Sequence, residues 1–544
     1  MHIFALILFS LLAVGASATP FRAQDVVAGD DSVEFTIASA REDARADRNA
    51  ESARLFGQVI SRYPERRREL LREWADQLCY SGQATQAAVM YRELLSDKTL
   101  SVTEELSARR GLALALSWSQ QLRAALAEYE ELLKRDDNDS DAQRGRARVL
   151  SWMGRHGPAV AAYRQIVARH PDDIESARDI GRVESWRGRQ KSAQRELRSF
   201  LEAHPDDAEA RRILAQSLAW TGQTDDALLI LRRLRDQESG EPRTEELINE
   251  ISLWTRQEFR VVSETSVQSD GLRIDHRGLN QIFRWNDGRT SATASFDLFS
   301  YIHRDRGDSM TVNRKGGMIQ HRFNGWNEIH AGTSVERIAM VQGESRMVPV
   351  YTAWWTATPG DRSRFDLSLT RTTFDNKESL RNRIASTTGS LSMDFKPTGG
   401  AVLSARFRHA AHTDGNTQHW MQIEVQQKAR WVPQLNVGFR FTSMGFATSE
   451  GRSYFSPMGY RSASVTAHGW GRLGKRLSWE LDGSAGAEES DRNGRPIHSI
   501  SAKLTWNPTP RVAIDAAFGR FASRQNSSGG FARSTNTIGL RYNW

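Results

Sequence analysis

Leu435-Asn436-Val437-Gly438-Phe439-Arg440-Phe441 is the stretch on which the fold turns. Its apolar residues fall on every second position, with polar or small residues between them, which is the period of a strand that is greasy on one face and wet on the other. The same alternation sets Ile500, Ala502, Leu504 and Trp506 against Ser501, Lys503 and Thr505. It also sets Val512, Ile514, Ala516 and Phe518 against Ala513, Asp515 and Ala517. From about Arg256 to the C-terminus this pattern recurs in strands of ~10 residues, as in barrels that cross an outer membrane. A soluble sandwich shows the same alternation, so other features have to choose between the two.

Three features favour the membrane. Short turns at Asn286-Asp287-Gly288, Asn324-Gly325, Pro359-Gly360, Pro397-Thr398-Gly399, Pro433, Leu473-Gly474 and Pro508-Thr509-Pro510 interleave with longer polar stretches. The latter lie near Asp270–His276, Arg304–Ser309, Val341–Arg346, Asp375–Asn382, His412–Thr417, Ser449–Ser456, Glu488–Arg495 and Arg524–Gly530. Secondly, the chain ends with Ile538, Leu540, Tyr542 and Trp544 on alternate residues, a terminal aromatic strand like the signal read by the barrel-assembly machinery. Thirdly, ten of the 16 tryptophans lie beyond residue 255, several near strand ends, where a membrane interface places them. Eight long loops and seven short turns predict a closed antiparallel transmembrane β-barrel of about 16 strands over residues 256–544. Closure is required because an open edge in hydrocarbon leaves backbone groups unsatisfied. No apolar run of ~18 residues offers a helical span instead.

Strand parity predicts the side chains lining the lumen. Arg406, Arg408, Arg440, Lys503 and Arg541 point inward, as do Asp297, Asp366, Glu424, Glu480, Asp482 and Asp515. These two sets nearly cancel, although the barrel half is basic. Residues 1–255 hold 36 basic and 41 acidic residues, and residues 256–544 hold 38 and 25. The surplus is therefore expected in loops, for instance at Arg304, Arg306, Arg381 and Arg383, with outer-membrane lipid or lipopolysaccharide as its partner.

The first half has another period. Trp118, Trp152, Trp186, Trp220 and Trp254 follow one another at intervals of 34 residues. Gly154, Gly188 and Gly222 come two residues after three of them, and Ala125, Ala159, Ala193 and Ala227 seven residues after the first four, with Tyr80, Gly82 and Ala87 repeating the pattern upstream. Tyr91, Tyr129, Tyr163, Leu197 and Leu231 follow the alanines by four, and Pro171-Asp172 and Pro205-Asp206 close two of the units. A glycine permits the turn between two helices, an alanine lets them approach, and the larger residue fills the gap between them. This pattern resembles the tetratricopeptide repeat, which implies an N-terminal α-solenoid of helix pairs that binds rather than catalyses. Full units are expected from about Arg72 to Arg235, a degenerate one from Ala44 to Tyr63, and a capping helix from Glu241 to Trp254. In that repeat the tryptophan position ends the helix lining the concave face. Trp118, Trp152, Trp186 and Trp220 then either form a ladder on which sugar rings stack or pack repeat on repeat.

At the N-terminus, Ile3 to Val14 is an apolar run of secretory type, although its only preceding polar residue is His2. It is followed by Ala16-Ser17-Ala18, so a signal peptide over 1–18 and a mature start near Thr19 are expected. The domain reading is signal peptide 1–18, linker 19–43, periplasmic repeat domain 44–255 and outer-membrane barrel 256–544. Cys79, the single cysteine, reads as a buried small hydrophobe. No phosphate-cradling loop, zinc-spaced Cys/His set or serine elbow is present, so no enzyme, cofactor, metal or nucleic-acid partner is expected.

Signal peptide, repeats and barrel in this order resemble the outer-membrane exporters of bacterial exopolysaccharide, such as those for poly-N-acetylglucosamine and cellulose, and the smaller YaiO-type barrels. The resemblance implies a conduit for exopolysaccharide whose periplasmic repeats bind the glycan, or a glycan-modifying enzyme or synthase complex. Two alternatives stand beside it: a translocator of surface lipoproteins, and a structural or receptor barrel.

Overall fold

The computed structural model describes residues 30–238, 240–303, 308–340, 345–374, 376–397, 400–429, 432, 434–449, 453–490, 493–523 and 532–544. The signal-peptide reading, and the linker up to residue 29, lie outside the described residues. The chain forms two compact units that meet at Ala162/Tyr163. The division therefore falls within the repeat array and not at 255/256, where helix gives way to strand.

The first unit contains α1 (Asp30–Arg45), α2 (Asn49–Arg62), α3 (Arg67–Tyr80), α4 (Ala84–Leu95), α5 (Val102–Trp118), α6 (Leu122–Arg135), α7 (Ser140–Trp152) and the start of α8 (His156–Arg169). Residues 30–43, read as linker, are helical. Val33, Ile37 and Ala40 share one face of α1 and bury it against Phe56, Val59, Ile60 and Leu70. The repeat alanines Ala87 and Ala125 are fully buried. The helices close on each other because glycines leave room: a Cβ on Gly111 would lie 2.3 Å from the Tyr91 ring, and one on Gly145 2.2 Å from Tyr129. Gly82 and Gly154 turn at φ +85° and +74°. In the repeat that lacks this glycine, Gln120 takes the same turn at φ +63°.

The second unit opens with the end of α8 and continues through α9 (Ile174–Trp186), α10 (Gln190–Ala203), α11 (Ala208–Trp220), α12 (Thr224–Gln237) and α13 (Pro242–Trp254). Its helical core is built on Leu197, Leu214, Leu218, Leu228, Leu231 and Ile251. The second aspartate of each Pro-Asp-Asp motif caps the next helix: Asp173 accepts from the Ser176 amide at 2.9 Å and Asp207 from the Ala210 amide at 2.7 Å.

Sixteen strands follow: β1 (Glu258–Gln268), β2 (Leu272–Trp285), β3 (Thr290–His303), β4 (Asp308–Asn324), β5 (Asn327–Met340), β6 (Ser345–Ala357), β7 (Ser363–Thr373) and β8 (Ala385–Phe395), then β9 (Ala401–His412), β10 (Thr417–Lys428), β11 (Leu435–Phe446), β12 (Tyr460–Leu473), β13 (Leu477–Ser490), β14 (Asn493–Thr509), β15 (Val512–Ala522) and β16 (Ala532–Asn543). Each pairs antiparallel with its neighbour, and β1 pairs with β16, from Glu258↔Asn543 to Gln268↔Arg533, so the barrel is closed. A short helix, α14 (Lys377–Arg381), interrupts the β7–β8 connection.

Register sorts the side chains. Val261, Leu279 and Phe296 lie side by side across β1, β2 and β3 and face outward. Phe395 and Leu403, and Trp506, Ile514 and Leu540, do the same elsewhere on the wall. Near the rim where β1 begins, the outward positions carry Trp285, Phe323, Trp355, Trp506 and Tyr542, all exposed. An exposed apolar wall around a closed cylinder is the exterior of a membrane barrel. Among the described residues no helix is long and apolar enough to cross a membrane.

The expected eight long loops reduce to three. Between strand ends, only 374–384, 447–459 and 523–531 exceed eight residues. Most of Asp270–His276 and Glu488–Arg495 is strand, because their charged residues satisfy the ladder beyond the apolar band, where outward charge meets water and head groups. The basic residues expected in loops are redistributed accordingly. Arg381 and Arg383 are in the β7–β8 connection, Arg304 and Arg306 lie outside the described residues, and further cations stand outward on strands.

Candidate functional site

The inner wall is the first candidate surface. All eleven charged residues read as lumenal occupy register positions opposite the apolar face. They do not converge on one centre; the wall pairs most of them locally. Arg440 grips Glu424 with two bonds of 3.0 Å, and Thr466 donates to the same carboxylate at 3.1 Å. Asp366 accepts from Arg364 at 2.8 Å and from Thr356 at 2.6 Å. Asp297 meets His276 at 2.9 Å and Asp482 meets His468 at 2.6 Å. Asp515 lies 3.9 Å from Lys503 and 4.0 Å from Arg541. Arg406 donates to Gln422 at 3.0 Å, and Arg408 lies over the Trp420 ring, 3.6 Å from its centroid. Glu480 stands opposite Lys503 in the register. Sequence reasoning missed the most enclosed pair, Arg314 and Glu336, in which Nε donates to a fully buried carboxylate at 2.8 Å. The parity of β4 and β5 could have found it.

The rim with the long connections is narrowed from within. Inward Leu272, Ile274, Tyr301, Met310, Val312 and Ile338 form an apolar cluster, and Leu380 of α14 is buried in it. The β7–β8 connection therefore folds into the barrel. Asn376 caps α14 at 2.7 Å and Ser379 Oγ lies 2.9 Å from Ser453 Oγ of the β11–β12 connection. A second cluster joins Ile384, Trp420, Met444, Phe446, Tyr454 and Tyr460. An apolar sequence in a polar loop was the available signal: Leu380 and Ile384 lie four residues apart.

The opposite rim holds the last repeats, and this contact is polar. Asp361, between β6 and β7, accepts from the Lys191 and Ser192 amides at 2.7 and 2.9 Å. It caps the first turn of α10, whose own N-cap residue, Arg189, supplies no side-chain bond. Lys191 Nζ donates to Thr358 Oγ1 at 3.0 Å, and burial pulls that ammonium below its ordinary pKa while Asp361 opposes the shift. Arg232 makes a two-pronged pair with Asp287 at 2.6 and 2.9 Å, which raises the guanidinium pKa further. Asp225 binds Arg322 and lies 3.5 Å from Arg289. Gly325 packs on Gln223 so closely that a Cβ would fall 2.5 Å from its Oε1.

The four tryptophans of the repeat column are not core. In the first unit Trp118 and Trp152 are 38% and 36% exposed, and Tyr80 meets Trp118 edge-on at 5.8 Å. In the second unit Trp186 and Trp220 are 40% and 44% exposed.

The fold and these surfaces define a class: tetratricopeptide repeats leading into a closed sixteen-stranded barrel of the outer-membrane type. Models of the tetratricopeptide repeat match residues 141–173 and 187–251. Among solved structures, the chain is similar to a bacterial polysaccharide outer membrane secretin, at 12% identity over 53% of this chain and 99% of that one, with a TM-score of 0.43. It is also similar to a tetratricopeptide repeat protein from Parabacteroides merdae ATCC 43184 (15% identity, 41% of this chain and 87% of that one, TM-score 0.35). A third is YrrB, described as a TPR protein with an unusual peptide-binding site (16% identity, 35% and 96%, TM-score 0.26). TM-scores below 0.5 give these likenesses no weight for function. No curated protein matches the chain.

Proposed function

We propose that this chain is an outer-membrane conduit for exopolysaccharide, with its repeats in the periplasm. The observation that carries the reading is a closed barrel with a charged, hydrogen-bonding inner wall whose entry rim is clasped by the last repeats. Carboxylates and guanidiniums already paired to each other offer a sliding sugar chain many weak hydrogen bonds and no deep trap, which suits passage over retention. On this reading residues 1–18 are the export signal, and the β1 rim faces the periplasm. The half-exposed faces of Trp118, Trp152, Trp186 and Trp220 hold sugar rings. The apolar clusters around Leu380 and Tyr460 act as a closed mouth that the polymer displaces. No group of the wall is assigned a catalytic role.

Deleting the gene and measuring extracellular polysaccharide tests the reading: secretion falls and returns when the gene is restored. Unchanged secretion, with a lipoprotein missing from the cell surface instead, refutes it in favour of protein translocation. Replacing Trp152 and Trp186 with alanine tests the indoles: glycan binding falls while the melting temperature holds. A collapsed repeat fold would make the column a packing device.

A further inference from the structure

The outward face of the barrel changes character along its height. Counted from the rim near the repeats, the first four outward positions of β2 are Trp285, Phe283, Gln281 and Leu279, and the fifth is Arg277. On β4 the corresponding run is Phe323, His321, Ile319, Gly317 and then Lys315. Eight residues of a strand tilted by ~40° climb ~20 Å, nearly the height of the apolar band of such barrels. At or just above that level Arg337, Arg371, Arg461 and Arg520 also occupy outward positions. Lys315 lies over outward Phe296, its Nζ 5.6 Å from the ring centroid, so the ammonium is held against the exterior wall. The acids in outward strand positions are Asp275, which is paired with Arg273 at 2.9 Å, and Glu489. Beyond the aromatic girdle on the opposite rim the cations, such as Arg289, Lys475, Arg476 and Arg511, lie in the turns, and among the described residues no outward strand position there carries one.

Within the collar, between β7 and β12, lies an exterior groove of about 690 Å³. Leu391, Phe407 and Met421 make its apolar wall, while His409, His419 and Arg461 stand at its polar edge. His409 and His419 face each other across the β9–β10 ladder with ring nitrogens 3.3 Å apart, and both are exposed.

We propose that this groove and collar bind a phosphorylated glycolipid of the lipid A type from the leaflet at the long-connection rim, with an acyl chain in the groove and phosphate on His409, His419 and Arg461. The argument is complementarity: in outward strand positions, which face lipid rather than water, cations follow the apolar band towards one rim only, as contact with one phosphate-dense leaflet requires. It rests on the membrane-barrel reading but on no assumption about what passes through the lumen.

The test reconstitutes the full chain in phosphatidylcholine nanodiscs doped with diphosphoryl lipid A, dephosphorylated lipid A or phosphatidylglycerol, and measures lipid retained by the purified protein. Heat-shifted gel mobility, which reports a closed barrel, is measured in parallel. The wild type is expected to retain diphosphoryl lipid A preferentially, and H409Q/H419Q/R461Q to lose that preference by about tenfold or more with mobility unchanged. Equal retention of dephosphorylated lipid A or phosphatidylglycerol, or a triple variant that retains lipid A as well as wild type, overturns the proposal. Because the triple variant tests only solvent- and lipid-facing side chains, K315Q gives a second variant outside the groove, expected to weaken retention less. A chain that never inserts into nanodiscs of any composition defeats the membrane reading itself, a separate result.

Discussion

Leu380→Asp should open the barrel without unfolding it. Leu380 is 1% exposed, set among Leu272, Ile274, Met310, Val312 and Ile338, and it is the apolar anchor of α14 in that cluster. Truncating a buried leucine costs about 2–5 kcal/mol, and a carboxylate in its place costs at least as much. None of the strand ladder passes through residue 380, so the cost falls on the seated connection and leaves the wall intact. At about 1.4 kcal/mol per decade, 2–5 kcal/mol displaces the seated-to-released ratio by about 30-fold to several thousand-fold. Single-channel recording in planar bilayers reads the outcome: larger or longer openings than wild type, with the heat-induced mobility shift at its original temperature. Ser379→Cys supplies an independent reporter, because Ser379 is fully buried and the native Cys79 is buried as well. In the L380D background a membrane-impermeant maleimide should label it, and in the wild-type background it should not. Free labelling with unchanged conductance would show that α14 leaves its seat without controlling the opening, and the closed-mouth account would fail.

Gln120→Gly should stabilise the first unit by about 0.5–1 kcal/mol, since a non-glycine residue at φ +63° carries steric cost; chemical denaturation of the purified chain measures it. Asp361→Ala should cost about 0.5–2 kcal/mol, read as faster amide exchange confined to the first turn of α10. Arg232→Ala and Asp287→Ala should each loosen the α12 contact, and the double variant should be less destabilised than the two effects summed. Burial raises the Cys79 thiol to about 12, so below its ordinary value the protonated form is favoured in both states and that contribution is whole. It is lost as pH rises from the ordinary value towards 12. At pH 8 the native thiolate fraction falls about a thousandfold, and iodoacetamide should react only after unfolding.

The repeat units and the strand parity were legible because each rests on spacing along the chain. A 34-residue interval and an alternation of two survive without any coordinates, and they placed the helix pairs and set Glu424 and Arg541 on the strand face opposite the apolar one. Helix α1 was not legible, since Val33, Ile37 and Ala40 are few among acidic and basic neighbours and become a face only when Phe56 and Leu70 meet them. Charged runs such as Arg273 and Asp275 read as loop because charge in a strand is costly in hydrocarbon. Their strand continues past the hydrocarbon, where that cost vanishes. Leu380 and Asp361 were invisible for a further reason: each acts on residues more than forty positions away, at Leu272 and at Lys191, and no period links them.

A helix whose first turn is finished by a residue 170 positions later cannot be completed in the order in which it is synthesised. The segment 190–203 emerges long before Asp361, and until the β6–β7 hairpin exists its leading amides have only water to bind. Docking of the last repeats is thus a late event that reports a formed barrel. A fragment ending at residue 255 should show that turn frayed, which makes α10 a built-in check on whether the cylinder beside it has been assembled.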